Sequence, residues 1–176
     1  MNLYFRLFWT WFCARFNKPI IQMGDTIELA LRVWPTDLDV NGHMNNGRYM
    51  TILDLALVEY MTRAGFLSVA MKKGWKPVLG GSMISFRKSL KPFGRYRLTF
   101  RVMCWDERWS YMGFEFWCGE TLVASGQSKG AIIGKQGQIA SKDAFSILVN
   151  TPISPPIPDS VYAWLEAERL MHLQPK

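Results

Sequence analysis

Apolar and polar positions alternate along much of this chain, and the period of the alternation separates strands from helices. Residues 26–34, TIELALRVW, set Ile27, Leu29, Leu31 and Val33 against Glu28 and Arg32, the period-two pattern of a half-buried strand. A polar loop spans Pro35 to Asn46. Residues 47–65 then predict a helix, with Asn45 or Asn46 able to cap its start and Gly65 able to close its end. That helix is apolar almost all round, from Tyr49 and Met50 through Leu57 and Val58 to Met61, so other elements must wrap it. Residues 78–90, 95–105, 109–118 and 121–133 read as four strands. In the second of these, Tyr96, Leu98, Phe100, Val102 and Cys104 share one face while Arg95, Arg97 and Arg101 share the other. Gly119-Glu120 is a tight hairpin signal between the last two strands. One strand, one buried helix and a four-strand meander predict an α+β fold in which a curved antiparallel sheet of about five strands encloses a single long helix.

Both ends lie outside this pattern. Residues 1–16, MNLYFRLFWTWFCARF, predict a short apolar helix interrupted by Arg6 and Arg15. The eight residues between the two arginines are far fewer than the roughly 20 that cross a bilayer, and no small-residue cleavage site follows. Two readings stand. In one, Leu3, Leu7, Phe8 and Trp11 pack on the domain or on a partner subunit; in the other, the helix lies in a membrane interface with its aromatic side chains among the headgroups. Residues 17–25 read as a linker, 26–134 as the domain, and 135–176 as an extension. Within that extension, TPISPPIP at 151–158 is a stiff linker, and Asp159 or Ser160 caps a short helix that presents Val161, Trp164, Leu165 and Leu170.

Composition narrows the partners. There are 21 Lys and Arg against 14 Asp and Glu, a formal charge of +7, but no basic run that would mark a nucleic-acid tail. Anionic lipid and a phosphate-bearing small molecule stay open. Cys13, Cys104 and Cys118 form no CxxC pair, so neither a zinc site nor a disulfide framework is expected, and three packed thiols suit a reducing cytoplasm.

The densest polar run is Asp37-Leu-Asp39-Val-Asn-Gly42-His43-Met-Asn45-Asn46, between a strand and the start of the buried helix. A helix start carries unpaired N–H groups and about half a positive charge, which suits a developing oxyanion. A carboxylate just upstream can stand beside that point, an arrangement suited to acyl transfer. Taken one at a time, the same residues also serve as turn residues, caps and a structural histidine.

The run WPTDLDVNGHMNNGRY resembles the signature of hotdog-fold acyl-CoA thioesterases of the 4-hydroxybenzoyl-CoA thioesterase type. The matching residues are Arg32, Trp34, Pro35, Asp37, Asp39, His43, Met44, Asn45, Asn46, Arg48 and Tyr49, with further likeness at RKSLKPF (87–93) and WDERWSY (105–111). The resemblance implies a thioester hydrolase in which Asp39 acts as nucleophile or general base and a backbone N–H near Asn46 or Gly47 polarises the carbonyl. It gives Asp37 a loop-ordering role and makes His43, Asn45 and Tyr49 supporting groups. Arg87, Lys88 and Arg108 become candidates for coenzyme A phosphates. Asp54, on the helix with Glu59, is the reserve catalytic carboxylate, because other hotdog thioesterases carry theirs there. The implied partners are an acyl-CoA substrate and a second subunit, as a homodimer or dimer of dimers, with no metal, no cofactor beyond coenzyme A as part of the substrate, and no nucleic acid. A cytoplasmic location is expected, with membrane contact through residues 1–16 as the open addition. The alternative function is a non-catalytic hotdog protein that binds acyl chains or lipid. A hydratase is the weakest reading, since His43 and His172 are the sole histidines.

Overall fold

The computed structural model describes residues 3–148 and 153–172. Its elements are α1 (Leu3–Phe16), β1 (Ile27–Arg32), a short 3-10 turn (Pro35–Asp37), α2 (Asn46–Arg63), α3 (Phe66–Lys73), β2 (Lys76–Phe86), β3 (Arg95–Trp105), β4 (Ser110–Cys118), β5 (Thr121–Gly134), β6 (Gly137–Ile139), α4 (Ser141–Phe145) and α5 (Asp159–His172). The strands form one antiparallel sheet in the order β1-β3-β4-β5-β2, with short β6 added along β5. The sheet's inner face meets α2, and Ile52, Leu55 and Ala56 of that helix are fully buried against residues such as Leu98, Phe100 and Phe116. This is the α+β hotdog arrangement, one long helix enclosed by a curved sheet, with the sixth strand in excess of the expected five.

The edges of the sheet explain two boundaries. β2 is an edge strand, which is why it tolerates Pro77, a residue without an N–H to give to the ladder. It also stops at Phe86, short of the expected residue 90, because Arg87 and Lys88 both direct their N–H groups at the Val123 carbonyl and end the regular pairing.

One face assignment is corrected. The β3–β4 register slips between Val102 and Cys104, and this bulge turns Cys104 to the outer face of the sheet. There it packs with Tyr111, Val161 and Trp164 beneath α5, while the next residue, Trp105, returns to the main core against Phe145. Lys129 lies under the rings of Trp109 and Trp164 in the same outer cluster and pairs with Glu168. Leu170, expected on the apolar side of α5, is exposed, as is the Cys118 thiol. Residues 151 and 152 of the Pro-rich segment lie outside the described residues, and 153–158 form neither helix nor strand.

Residues 17–25 run as a strap along α2. Lys18 pairs with Glu59, the Ile21 N–H donates to the Arg63 carbonyl, and the Gly24 N–H donates to the Tyr60 hydroxyl. Glu59 is thereby a buried structural carboxylate held by Lys18 and Arg63. Helix α1 packs its Leu3 and Leu7 on the core and buries Arg6 and Ala14, but Phe8 faces outward, contrary to the packed reading.

Candidate active site

The loop between β1 and α2 is built around one buried carboxylate. Asp37 closes the 3-10 turn, where its N–H donates to the Trp34 carbonyl at 2.8 Å. Its own carboxylate accepts from the Trp34 N–H at 3.0 Å, from Arg6 Nη1 at 2.9 and 3.1 Å, and from Arg48 Nε at 3.2 Å. Its carbonyl accepts from the Asn45 N–H at 2.8 Å. Asp37 thus ties α1, the loop and the first turn of α2 together, and a fully buried carboxylate is tolerable there because charged donors surround it.

Asp39 is placed differently. A bridge between Leu38 and Met44 folds residues 38–44 into a small hairpin, with Gly42 in the left-handed region at φ +72°. The Asp39 N–H donates to the His43 carbonyl at 2.9 Å. Asp39 Oδ1 accepts from the N–H groups of Asn41 at 2.9 Å and His43 at 3.3 Å. Among the described residues nothing donates to Oδ2, and the side chain is only half-buried. One oxygen is anchored and the other is available. His43 contributes its backbone to this turn.

The start of α2 distinguishes between the two candidate donors. Asn45 is the cap, and its Oδ1 accepts from the Gly47 N–H at 2.8 Å. The Arg48 N–H is taken by the Asn45 carbonyl at 2.9 Å. The Asn46 N–H has no acceptor among the described residues, and Asn46 is exposed. Tyr49 is buried between Phe86 and Phe116, where desolvation raises its phenol above the usual range.

Arg87 and Lys88 are exposed at the same end of the sheet, where the Met44 N–H donates to the Leu90 carbonyl at 3.0 Å. Arg108 is not brought to this end. It sits in the β3–β4 turn, at the far end of an 11-residue strand, roughly 30 Å away along the chain direction. Asp54 lies two turns into α2, about 12 Å beyond Asn46 along the helix axis.

Asp54 does line the apolar cavity of the fold, a space of about 390 Å³ between α2, β2 and the inner face of the sheet. Met50, Leu57, Met61, Val78 and Phe100 form much of its wall. Although Asp54 is exposed as a residue in the single chain, its carboxyl abuts this wall, and desolvation raises it above the ordinary carboxylate range. Asp39, Asn46 and Gly47 do not line the cavity, so within one chain the loop and the acyl-sized space are separate features. A larger groove, about 790 Å³, crosses the outer face of the sheet and contains no residue of the loop. Among the described residues no three His, Cys, Asp or Glu side chains gather as a metal site requires.

Arg6 is the site residue that sequence patterning missed. Its signal was present: a charged residue within an apolar helix needs a buried partner or a solvent-facing position.

The chain matches the model of the thioesterase-like superfamily over residues 33–165. Protein THEM6 of Xenopus laevis is 29% identical over 136 residues, covering 76% of this chain and 64% of that protein. Thioesterase poxG of Penicillium oxalicum is 33% identical over 90 residues, covering 43% of this chain and 30% of that protein. The chain therefore spans less than two thirds of the length of either relative. Among solved structures, a DHNA-CoA thioesterase from Staphylococcus aureus superposes with a TM-score of 0.62 at 16% identity, over 84% of this chain and 93% of that one, a likeness of fold.

Proposed function

The chain belongs to the thioesterase-like superfamily, and from that premise we propose that it cleaves acyl-CoA thioesters with Asp39 as the acting carboxylate. The observation that carries this reading is the split state of Asp39. Its Oδ1 is fixed by two backbone N–H groups while its Oδ2 is available, in a loop clamped by the buried Asp37.

The reaction follows from those groups. The thioester carbonyl oxygen accepts from the Asn46 N–H at the positive end of α2, which stabilises the negative charge that develops there. Gly47, whose N–H is already held by Asn45, is the poorer donor. Asp39 Oδ2 either attacks the carbonyl carbon, giving a mixed anhydride and free coenzyme A thiolate that water then resolves, or removes a proton from the water that attacks. In single-turnover hydrolysis in ¹⁸O-water, label in the Asp39 carboxylate and unlabelled oxygen in the released acid would establish the first route with water attacking the Asp39 carbonyl carbon of the anhydride, an outcome that the second route cannot give. The acyl group takes the apolar cavity along α2, which the loop of the same chain does not reach, so a second subunit must bring loop and cavity together, and Arg87 and Lys88 meet the phosphates of coenzyme A.

Completion of the site requires a second subunit. β2 is an 11-residue edge strand with Val78, Leu79, Met83 and Phe86 exposed, and it borders the cavity. Antiparallel pairing of β2 with its copy satisfies that edge and covers those side chains, giving a homodimer.

A panel of acyl-CoAs assayed with a thiol reagent tests the activity. Asp39→Asn should lower turnover by at least about 10²-fold with acyl-CoA binding retained. Near-normal rates in Asp39→Asn alongside loss of turnover in folded Asp54→Asn would move the chemistry onto the helix. If no acyl-CoA is hydrolysed, the acyl-binding reading replaces this one.

A further inference from the structure

Helix α1 has two unlike faces. The inner one is fixed: Arg6 is 3% exposed and bonded to Asp37, and Leu3 and Leu7 pack on the core. The outer one carries Phe5, Phe8, Trp9, Phe12 and Phe16, each between 39% and 62% exposed. Their spacing of one, three and four residues makes a continuous stripe on a helix. The rings touch along it, with Trp9–Phe12 at 6.1 Å and Phe12–Phe16 at 5.0 Å between centroids, and Arg15 stands over Phe16 at 5.4 Å. Five exposed aromatics in one stripe are more than a solvated surface ordinarily presents.

A basic groove adjoins the stripe. It has a volume of about 640 Å³, and Trp9 lines it, so groove and stripe share a residue. Arg32 and Arg95, also in its lining, are direct register partners across the β1–β3 ladder. Like charges directly opposite one another in a sheet repel, and neither arginine has an acidic partner among the described residues. Arg97 lines the groove as well and reaches Glu28 only at 3.6 Å, with both side chains in solvent. Glu120 is the lone acid in the lining.

We propose that this surface seats the protein on an anionic lipid bilayer. The aromatic stripe of α1 enters the boundary between headgroups and acyl chains, and Arg32 and Arg95 bind lipid phosphates. Charge selects this occupant over a second copy. Each copy brings a formal +7, and two-fold packing of this face would set arginines against arginines. The helix lies on the surface and does not cross it, since its inner face is bonded to the domain, and no described helix is long and apolar enough to span a membrane.

Co-sedimentation of the full chain with vesicles tests this independently of any hydrolytic activity. Vesicles of phosphatidylcholine with about a third phosphatidylserine should pellet the protein, pure phosphatidylcholine should not, and high salt should release it. Phe8→Ser/Phe12→Ser should lower partitioning at least tenfold with melting temperature and sedimenting mass unchanged. Arg32→Gln/Arg95→Gln should weaken it by about 5-fold per charge and flatten its salt dependence. No partitioning of the wild type, or wild-type partitioning by the arginine variant, overturns the proposal, and the arginine variant decides the matter should the phenylalanine variant not fold. A fall in sedimenting mass in the phenylalanine variant also overturns it, by identifying the stripe as a subunit interface.

Discussion

Asp37 and Asp39 are two residues apart and have opposite fates. The Asp37 carboxylate is held by two arginines and one backbone N–H, and removing its charge strands the guanidinium of Arg6 in the interior. Loss of one partner of a buried ion pair typically costs about 3–5 kcal/mol. Asp37→Asn and Arg6→Met should each lower unfolding stability by about that much in urea titration, and activity should fall through loop disorder. Asp54 gives a pH-dependent counterpart. Burial raises its folded pKa above the unfolded value, so its contribution is fully present below the ordinary carboxylate range and is lost as pH rises through the raised folded value. Asp54→Asn removes that loss, so the stability of the variant relative to wild type should increase between about pH 3 and pH 7. Equal urea midpoint differences at the two pH values would contradict it. The Asp-x-Asp spacing and the capping asparagine were legible in the sequence. The clasp on Asp37 was not, because Arg6 lies 31 residues upstream and periodicity carries no information about which distant charge a loop will meet.

At the scale of elements, alternation placed β3 to the residue, at Arg95 and Trp105, and placed β1 within the expected 26–34, where it is shorter at both ends, Ile27–Arg32. The bulge near Cys104 was not readable, since an extra residue in a ladder leaves composition and period on either side intact. Helix α3 was missed for its brevity, eight residues between two left-handed glycines, too short to establish a period against α2. Close packing between strands gives a further prediction. A Cβ on Gly126 of β5 would stand 2.3 Å from the Met83 carbonyl of β2 and 2.5 Å from the Phe114 ring of β4. Backbone on one side and an aromatic ring of the core on the other leave little room to yield, so Gly126→Ala should cost about 3 kcal/mol, read by chemical denaturation. Gly119→Ala, in open space at a left-handed turn, should cost about 1 kcal/mol.

For the molecule as a whole, the edge at β2 sets the expectation for assembly. Analytical sedimentation at micromolar concentration should give the mass of a dimer, and a charge placed mid-strand, Met83→Lys, should shift it toward monomer. A stable wild-type monomer would leave the cavity open along β2 and remove the basis for a shared site. The overall architecture was legible because a helix apolar on nearly every face admits few enclosures other than a sheet curved around it. The two unlike faces of α1 were not separable in the sequence, where apolar residues occur all round it.

The Arg6–Asp37 bond joins the helix that carries the aromatic stripe to the loop that carries Asp39. Two ligands that bind at opposite ends of such a connection exchange free energy whenever each favours one posture of it. A bilayer on α1 and a non-hydrolysable acyl thioester at the loop would then be effectors of each other. Thermodynamic reciprocity fixes the relation between them: the factor by which vesicles tighten the thioester analogue must equal the factor by which the analogue tightens partition onto vesicles. A factor of one, measured from both directions, would mean that the bond holds a single rigid posture and transmits nothing.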